Sequence, residues 1–164
     1  MSWWKRLFVR RGKMDYDVFL ISFPKAGRTW LTLQIGRAVV QHFGLKDANL
    51  LNLRKMALRY PHLLPAIRIS HDDQPQWRTP GELAASKEHF RGKKVIFMVR
   101  DPRDLAVSNY FQKKKRIKPP GKVLSMFRRK RNRLHGEPFD GELSDFLRQN
   151  VGGFDTVLRY YNVW

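Results

Sequence analysis

The fold of this chain is decided by the stretch VFLISFPKAGRTWL, residues 18–31. The stretch begins with a short apolar, β-prone run from Val18 to Phe23, which ends at Pro24. A turn that contains a glycine follows, and a helical pattern of apolar residues then runs from about Thr29 to His42. This order predicts a strand, a loop and a helix.

Two further strands are predicted along the chain. The first covers Ala66 to Ser70, and the second, KKVIFMV from Lys93 to Val99, is the clearest candidate for a buried strand. Because strands alternate with helical stretches, the sequence predicts an α/β fold, a parallel sheet covered by helices on both faces. We assign residues 1–164 to a single domain of this kind, since a chain of this length with 42% hydrophobic residues can form one core.

The other predicted helices are placed by their capping residues and by apolar periodicity. Thr79 and Glu82 form a capping-box sequence, and Asp101 is a suitable N-cap for a helix that begins at a proline. The predicted spans are a helix capped by Asp47 that ends before Pro61, Thr79 to about Phe90, Pro102 to about Lys115, Glu142 to Gln149, and Asp155 to Val163.

Charge and composition restrict the function. There are 33 Lys and Arg residues against 14 Asp and Glu, a formal net charge of +19, which favours anionic partners such as nucleotides, sulfated glycans or acidic lipid. The absence of cysteine excludes disulfides, thiolate catalysis and zinc sites built on cysteine. No run approaches the roughly 20 apolar residues of a membrane span, and no secretory signal is recognised, so we expect a cytoplasmic protein.

Two basic segments are recognised within the chain, an N-terminal extension and an internal excursion. Residues 1–14 alternate tryptophan and other apolar residues with lysine and arginine, as an interfacial helix would, although a frayed terminus explains the pattern as well. Residues 113–136 hold 11 basic residues and no acidic one. This second segment is either a solvated surface excursion or a binding surface, and peripheral contact with a membrane is one outcome of the two segments together.

Polar residues follow each of the three predicted strands. Lys25 comes after the first strand, His71 after the second and Arg100 after the third. Because parallel strands end at the same edge of a sheet, where ligands collect in α/β folds, we expect the three to lie at one site.

The turn after the first strand has the features of a phosphate cradle. It combines Lys25, a glycine that permits close backbone approach, and a helix N-terminus whose free N–H groups favour an anion. It is not a Walker A sequence, which needs two glycines and a lysine followed by serine or threonine. An ordinary strand-to-helix turn with a solvated lysine remains the alternative interpretation.

Taken together, FPKAGRTWL (residues 23–31) and VIFMVRDPRDLAVSNYF (residues 95–111) resemble the sulfotransferases that use 3′-phosphoadenosine 5′-phosphosulfate (PAPS). In that family a PKSGTTW-like loop binds the 5′-phosphosulfate, and an arginine at a strand end with a serine eight residues later binds the 3′-phosphate. Arg100 and Ser108 have this separation. The resemblance implies a fold like that of P-loop nucleotide kinases and transfer of a sulfuryl group that requires no metal.

The resemblance also implies roles for individual residues. Lys25 would contact the 5′-phosphate and the bridging oxygen, and the residues beside it would line the same loop. The loop residues implied are Ala26, Gly27, Arg28 and Thr29. Trp30 matches the aromatic residue that stacks on adenine, whereas a place in the core is its alternative role.

His71, in RISHDD, matches the family's catalytic histidine, which removes a proton from the acceptor hydroxyl or amine. Imidazole suits this task because its ordinary pKa lies near neutrality. The sequence departs from the family at Ile69, where a lysine is common, and Arg68 should point to the other face of its strand. Since some sulfotransferases use a carboxylate base, Asp72 is the fallback.

The resemblance runs from about Tyr16 to Trp164 and stops before the RKGxxG-like segment that ends family members, so we expect the chain to represent an N-terminal part. A small-molecule, lipid or glycan acceptor is implied, and no specific nucleic acid is expected. Two other functions stay open. One is a P-loop kinase-like phosphotransferase, and the other is a basic module that binds nucleic acid or acidic surfaces without catalysis.

Overall fold

The computed structural model describes residues 16–46, 51–116 and 138–164. The predicted N-terminal extension and residues 117–136 of the basic segment lie outside the described residues. The sheet has three strands, β1 (Val18–Ser22), β2 (Ile67–Ser70) and β3 (Lys94–Met98), in the order β2-β1-β3. Both pairings are parallel, with Val18 opposite Ile67 on one side and Lys94 on the other.

The central strand β1 is covered on both faces. Its residues Phe19, Leu20, Ile21 and Ser22 are 6%, 0%, 0% and 0% exposed. Because successive side chains of a strand point to opposite faces, uniform burial requires cover on each side. The predicted α/β fold with a parallel sheet is confirmed.

Five helices surround the sheet in the described part of the chain. They are α1 (Arg28–Phe43), α2 (Leu53–Arg59), α3 (Pro102–Phe111), α4 (Leu143–Leu147) and α5 (Phe154–Val163). A π-turn, Gln112–Arg116, continues directly from α3 and confirms the predicted helical reach to Lys115. Asp47, the predicted cap of α2, lies outside the described residues, and the N-cap of that helix is Asn52, whose side chain accepts from the Lys55 amide at 3.0 Å.

The helix predicted from Thr79 to Phe90 was wrong. The capping box itself is present, with the Thr79 amide donating to Glu82 Oε2 at 2.8 Å, but only two 3₁₀ turns follow, Pro80–Glu82 and Glu88–Phe90. Leu83 is extended and only 3% exposed, and the Ala84 amide donates to Asp73 Oδ2 at 3.1 Å. Burial of Leu83 and this long-range hydrogen bond outweigh the local helical preference.

The strand predicted at Lys93–Val99 is confirmed, but its predicted burial was wrong. Val95 is 36% exposed, Ile96 44% and Val99 58%. β3 pairs with β1 alone and therefore forms an edge of the sheet among the described residues.

One face of β1 packs into an aromatic and aliphatic core that also fixes the helices near the strand ends. The core contains Phe19, Ile21, Phe23, Ala26, Leu83, Leu105, Val157 and Tyr160. Leu105 belongs to α3, and Val157 and Tyr160 belong to α5, so this core anchors both helices beside the carboxyl ends of the strands. Within the described residues, no helix is long and apolar enough to cross a membrane.

Candidate functional site

The turn after β1 has the backbone of a ligand loop. Gly27 has φ = 101° and precedes α1, whose N-terminus receives no side-chain cap hydrogen bond. A Cβ at Gly27 would lie 3.2 Å from Met98 Cε, and this φ is rarely adopted by residues with a side chain. Lys25 also has a positive φ, 74°. The uncapped first turn leaves amide donors and the positive end of the helix dipole beside Lys25.

The side chains of the loop divide between core and solvent. Ala26 is 4% exposed and belongs to the core, so only its backbone can meet a ligand. Arg28 is half-buried, and this burial lowers the pKa of its guanidinium group. Thr29 is exposed to solvent. Trp30 is 66% exposed, which excludes the alternative that it is a core residue.

Lys25 and Arg100 meet at the strand ends. Arg100 Nη1 donates to the carbonyl oxygen of Lys25 at 3.3 Å, and Lys25 Nζ donates to Gln112 Oε1 at 2.6 Å. The backbone of Arg100 is fixed by Tyr161, whose hydroxyl accepts from the Arg100 amide at 3.1 Å and donates to its carbonyl at 3.0 Å. The ends of the first and third strands therefore lie together at one edge of the sheet, as the parallel pairing predicts.

A cleft of about 340 Å³ opens beside Lys25. Its lining is completed by Ser108 and Phe111 of α3 and by Gln112 and Lys115 of the π-turn. Two lysines line it and no carboxylate among the described residues does, which makes it a place for an anion. The structure therefore brings Lys25 and Ser108 into one cleft, with Arg100 attached to its rim through the Lys25 carbonyl.

His71 lies at the same sheet edge, on the β2 side of β1, and does not line the cleft. Its Nδ1 is 2.8 Å from the carbonyl oxygen of Ser22. Since a carbonyl only accepts, Nδ1 carries a proton, and in the neutral ring Nε2 is the basic nitrogen. Tyr160 donates its hydroxyl to the His71 carbonyl at 2.7 Å, and burial raises the pKa of Tyr160, which keeps this donor protonated.

The turn that follows His71 is locked by ion pairs. Asp72, Asp73 and Gln74 have φ values of 40°, 50° and 55°, an unfavourable run for residues with side chains. Lys87 Nζ lies 2.8 Å from Asp72 Oδ2 and 2.7 Å from Asp73 Oδ2. Asp72, the fallback base, is therefore already engaged by a cation.

The neighbouring β2 side chains do not replace the lysine that the family often has at Ile69. Ile69 is half-buried. Arg68 is exposed, and its guanidinium lies 5.6 Å from the centre of the Tyr16 ring.

Four contributors to the site were missed by the sequence analysis: Gln112, Lys115, Tyr160 and Tyr161. Gln112 and Lys115 follow Ser108 by four and seven residues, which is the spacing of one helix face, so this pair could have been found. The two tyrosines act through contacts 89 and 61 residues away in the chain, and no local pattern indicates them.

Comparison with known families agrees with this geometry. No curated protein and no solved structure matches the chain significantly. Residues 15–140, well over half of the chain, match the sequence profile of the sulfotransferase domain. The matched range includes all three strands, the turn that holds Lys25, and His71, Arg100 and Ser108. On this match the chain belongs to the sulfotransferase domain family.

Proposed function

We propose that the protein is a PAPS-dependent sulfotransferase, which transfers a sulfuryl group to a hydroxyl or amine of its acceptor. The observation that carries the proposal is the convergence of Lys25 and Ser108 on one cationic cleft, with Arg100 hydrogen-bonded to the Lys25 carbonyl. Membership of the sulfotransferase domain family supports the reaction class.

The residues present fit the cosubstrate. Gly27 supplies a positive-φ backbone at an uncapped helix N-terminus, and Lys25 supplies a charge for the 5′-phosphosulfate. Ser108 and Arg100 would hold the 3′-phosphate. Trp30 presents an exposed ring on the first turn of α1, where stacking on a base contributes about 1–3 kcal/mol.

The chemistry asked of the protein is alignment and charge stabilisation. PAPS supplies the sulfuryl group when it is bound. The acceptor oxygen or nitrogen forms a bond to sulfur as the bond from sulfur to the phosphate oxygen breaks, and adenosine 3′,5′-bisphosphate leaves. Lys25 and the α1 amides stabilise the charge on the departing phosphate, and donors aimed at developing charge are often the largest single contribution to catalysis.

His71 would take the acceptor proton at Nε2. The hydrogen bond from Nδ1 to the Ser22 carbonyl fixes the ring and its tautomer, and Tyr160 fixes the His71 backbone. Asp72 is less suited to this role because Lys87 holds it at 2.8 Å.

Calorimetric titration with adenosine 3′,5′-bisphosphate tests the proposal, with AMP and Mg-ATP as competing nucleotides. We expect selective binding of the bisphosphate, and we expect Lys25→Ala and Arg100→Ala each to weaken it by about tenfold or more, the effect of a lost charge-assisted hydrogen bond.

Arg91→Ala is the matched control. Its side chain is 80% exposed, and the substitution removes the same charge away from the cleft, so binding should change by less than about twofold. Equal affinity for AMP and the bisphosphate would contradict the sulfotransferase proposal, and Mg-dependent preference for ATP would point to a phosphotransferase.

A further inference from the structure

Three consecutive lysines follow α3, and their side chains have different surroundings. Lys113 is only 9% exposed, and its Nζ lies 5.2 Å from the centre of the Phe146 ring. Lys114 Nζ donates to the Tyr110 hydroxyl at 2.7 Å and to the Gly141 carbonyl at 3.3 Å. Of the three, only Lys115 lines the cleft that holds Lys25 and Ser108.

Helix periodicity explains which lysine enters the cleft. Ser108, Phe111, Gln112 and Lys115 are spaced as the residues of one helix face, and they form the wall of the cleft that α3 and the π-turn supply. The π-turn at Gln112–Arg116 continues the helical chain to Lys115, and such turns occur frequently at functional sites. Lys115 Nζ lies 4.8 Å from the centre of the Phe111 ring, so its ammonium is held at this wall by a cation–π contact.

The two lysines of the cleft, Lys25 and Lys115, differ in the contacts that they make within the protein. Lys25 comes from the strand-to-helix turn and donates to Gln112 at 2.6 Å. Lys115 comes from the end of the helical wall that Ser108 begins, and among the described residues no carboxylate lines the cleft. A ligand with two separated anionic groups satisfies both ammonium groups, whereas a ligand with one such group satisfies one of them.

We infer that Lys115, together with Ser108, binds the second phosphate of a nucleoside bisphosphate, so that this residue determines the preference of the cleft for a bisphosphate over a monophosphate. The inference rests on the proposed function, because it assigns a specificity-determining residue to the same cosubstrate site.

The test compares adenosine 3′,5′-bisphosphate with AMP by calorimetry for the wild type and for Lys115→Ala. Removal of one charge-assisted hydrogen bond should weaken the bisphosphate by about tenfold and AMP by less than about twofold. Lys115→Arg keeps the charge and should retain most of the preference. Lys114→Ala, the adjacent substitution with the same change in charge, should leave the ratio of the two affinities unchanged.

Circular dichroism of each variant establishes that the helices are retained. If Lys115→Ala lowers both affinities equally, or neither, while the wild type prefers the bisphosphate, this inference is wrong and the proposed function stands. If the folded wild type has no preference for the bisphosphate, the proposed function fails and the role of Lys115 fails with it.

Discussion

Two turns leave the same edge of the sheet, and they reach similar backbone conformations by different means. The turn after β1 uses Gly27 at φ = 101° and places Lys25 in an open cleft. The turn after β2 places three residues with side chains, Asp72, Asp73 and Gln74, at positive φ. The first turn holds one residue with a side chain at positive φ, Lys25, and is open to a ligand, whereas the second holds three and is closed by its own ion pairs.

The difference between the open turn and the closed turn matches the group that each would position, an anionic ligand in the first and the His71 side chain in the second. A loop that binds a mobile anion needs donors and charge that internal partners do not saturate. A turn that positions a single imidazole needs one fixed geometry, and Lys87 provides it by pairing with both Asp72 and Asp73, the two residues that follow His71. Strain of about 1–3 kcal/mol per residue persists only where surrounding contacts determine the conformation.

Lys87→Met should have the largest effect, because it removes the cation that holds the strained turn. The side chains of Lys87, Asp72 and Asp73 are 12%, 11% and 24% exposed, so the two carboxylates would be left largely buried without their partner. We expect the free energy of unfolding to fall by about 3 kcal/mol, as for other broken buried pairs. Urea denaturation at neutral pH measures this change.

The control for that measurement is Arg91→Met. Arg91 pairs with Glu88 at 2.7 Å, but the two side chains are 80% and 64% exposed. Solvent screening limits its cost to at most about 1 kcal/mol. Similar losses for the two variants would show that Lys87 does not lock the turn.

Gly27→Ala should have the next largest effect, since it introduces a side chain into the open turn. A backbone at φ = 101° is unfavourable for alanine, and the new Cβ would lie 3.2 Å from Met98 Cε. We expect a loss of about 2 kcal/mol, part of it from the left-handed conformation, together with weaker binding of adenosine 3′,5′-bisphosphate. Thermal unfolding and calorimetry measure the two consequences.

Gly44→Ala is the matched comparison at the other end of α1. Gly44 also has a positive φ, 60°, but nothing lies within 4 Å of the position of a Cβ. Its cost should be about 1 kcal/mol, from the backbone alone, and nucleotide binding should be unchanged. Equal costs at the two glycines would mean that the turn after β1 has room for a side chain.

The sequence was informative wherever a local pattern determines the structure. The strand, turn and helix at residues 18–43 follow from apolar periodicity and a glycine, and Ser108, which its spacing from Arg100 indicated, lines the cleft. These features depend on residues close together in the sequence, so they can be predicted.

The sequence did not indicate features that depend on contacts between residues far apart in the chain. Leu83 is extended because the core takes its side chain, and the hydrogen bond from Lys25 to Gln112 joins residues 87 positions apart. The apolar run of β3 predicted burial, but burial depends on the strands that flank it, and β3 is an edge of the described sheet. The lock on the turn after His71 likewise depends on Lys87, 14 to 15 positions away from its partners.

The turn after β3 contains an exposed carboxylate, that of Asp101, and its removal should have the smallest effect on the free energy of unfolding. Asp101 Oδ1 accepts from the Arg103 amide at 2.8 Å and from Arg103 Nε at 3.2 Å. These hydrogen bonds lower the pKa of Asp101 from 3.8 to about 2. Because the folded-state pKa is depressed, the stabilisation by this carboxylate is complete above the ordinary pKa and disappears as the pH falls from about 4 to about 2.

Asp101→Ala should therefore be less stable than the wild type by a constant amount between about pH 7 and pH 5, and this difference should shrink as the pH is lowered further. Asp101→Asn separates the contribution of the helix cap from that of the negative charge, because asparagine caps a helix as well as aspartate does but carries no charge. Urea midpoints of the three proteins across this range measure the effect. The ion pair of Asp101 with Arg103 is 41% and 83% exposed, so it should matter far less than the buried pairs of Lys87. A loss at Asp101 as large as that at Lys87 would mean that burial is not what separates a closed turn from an open one.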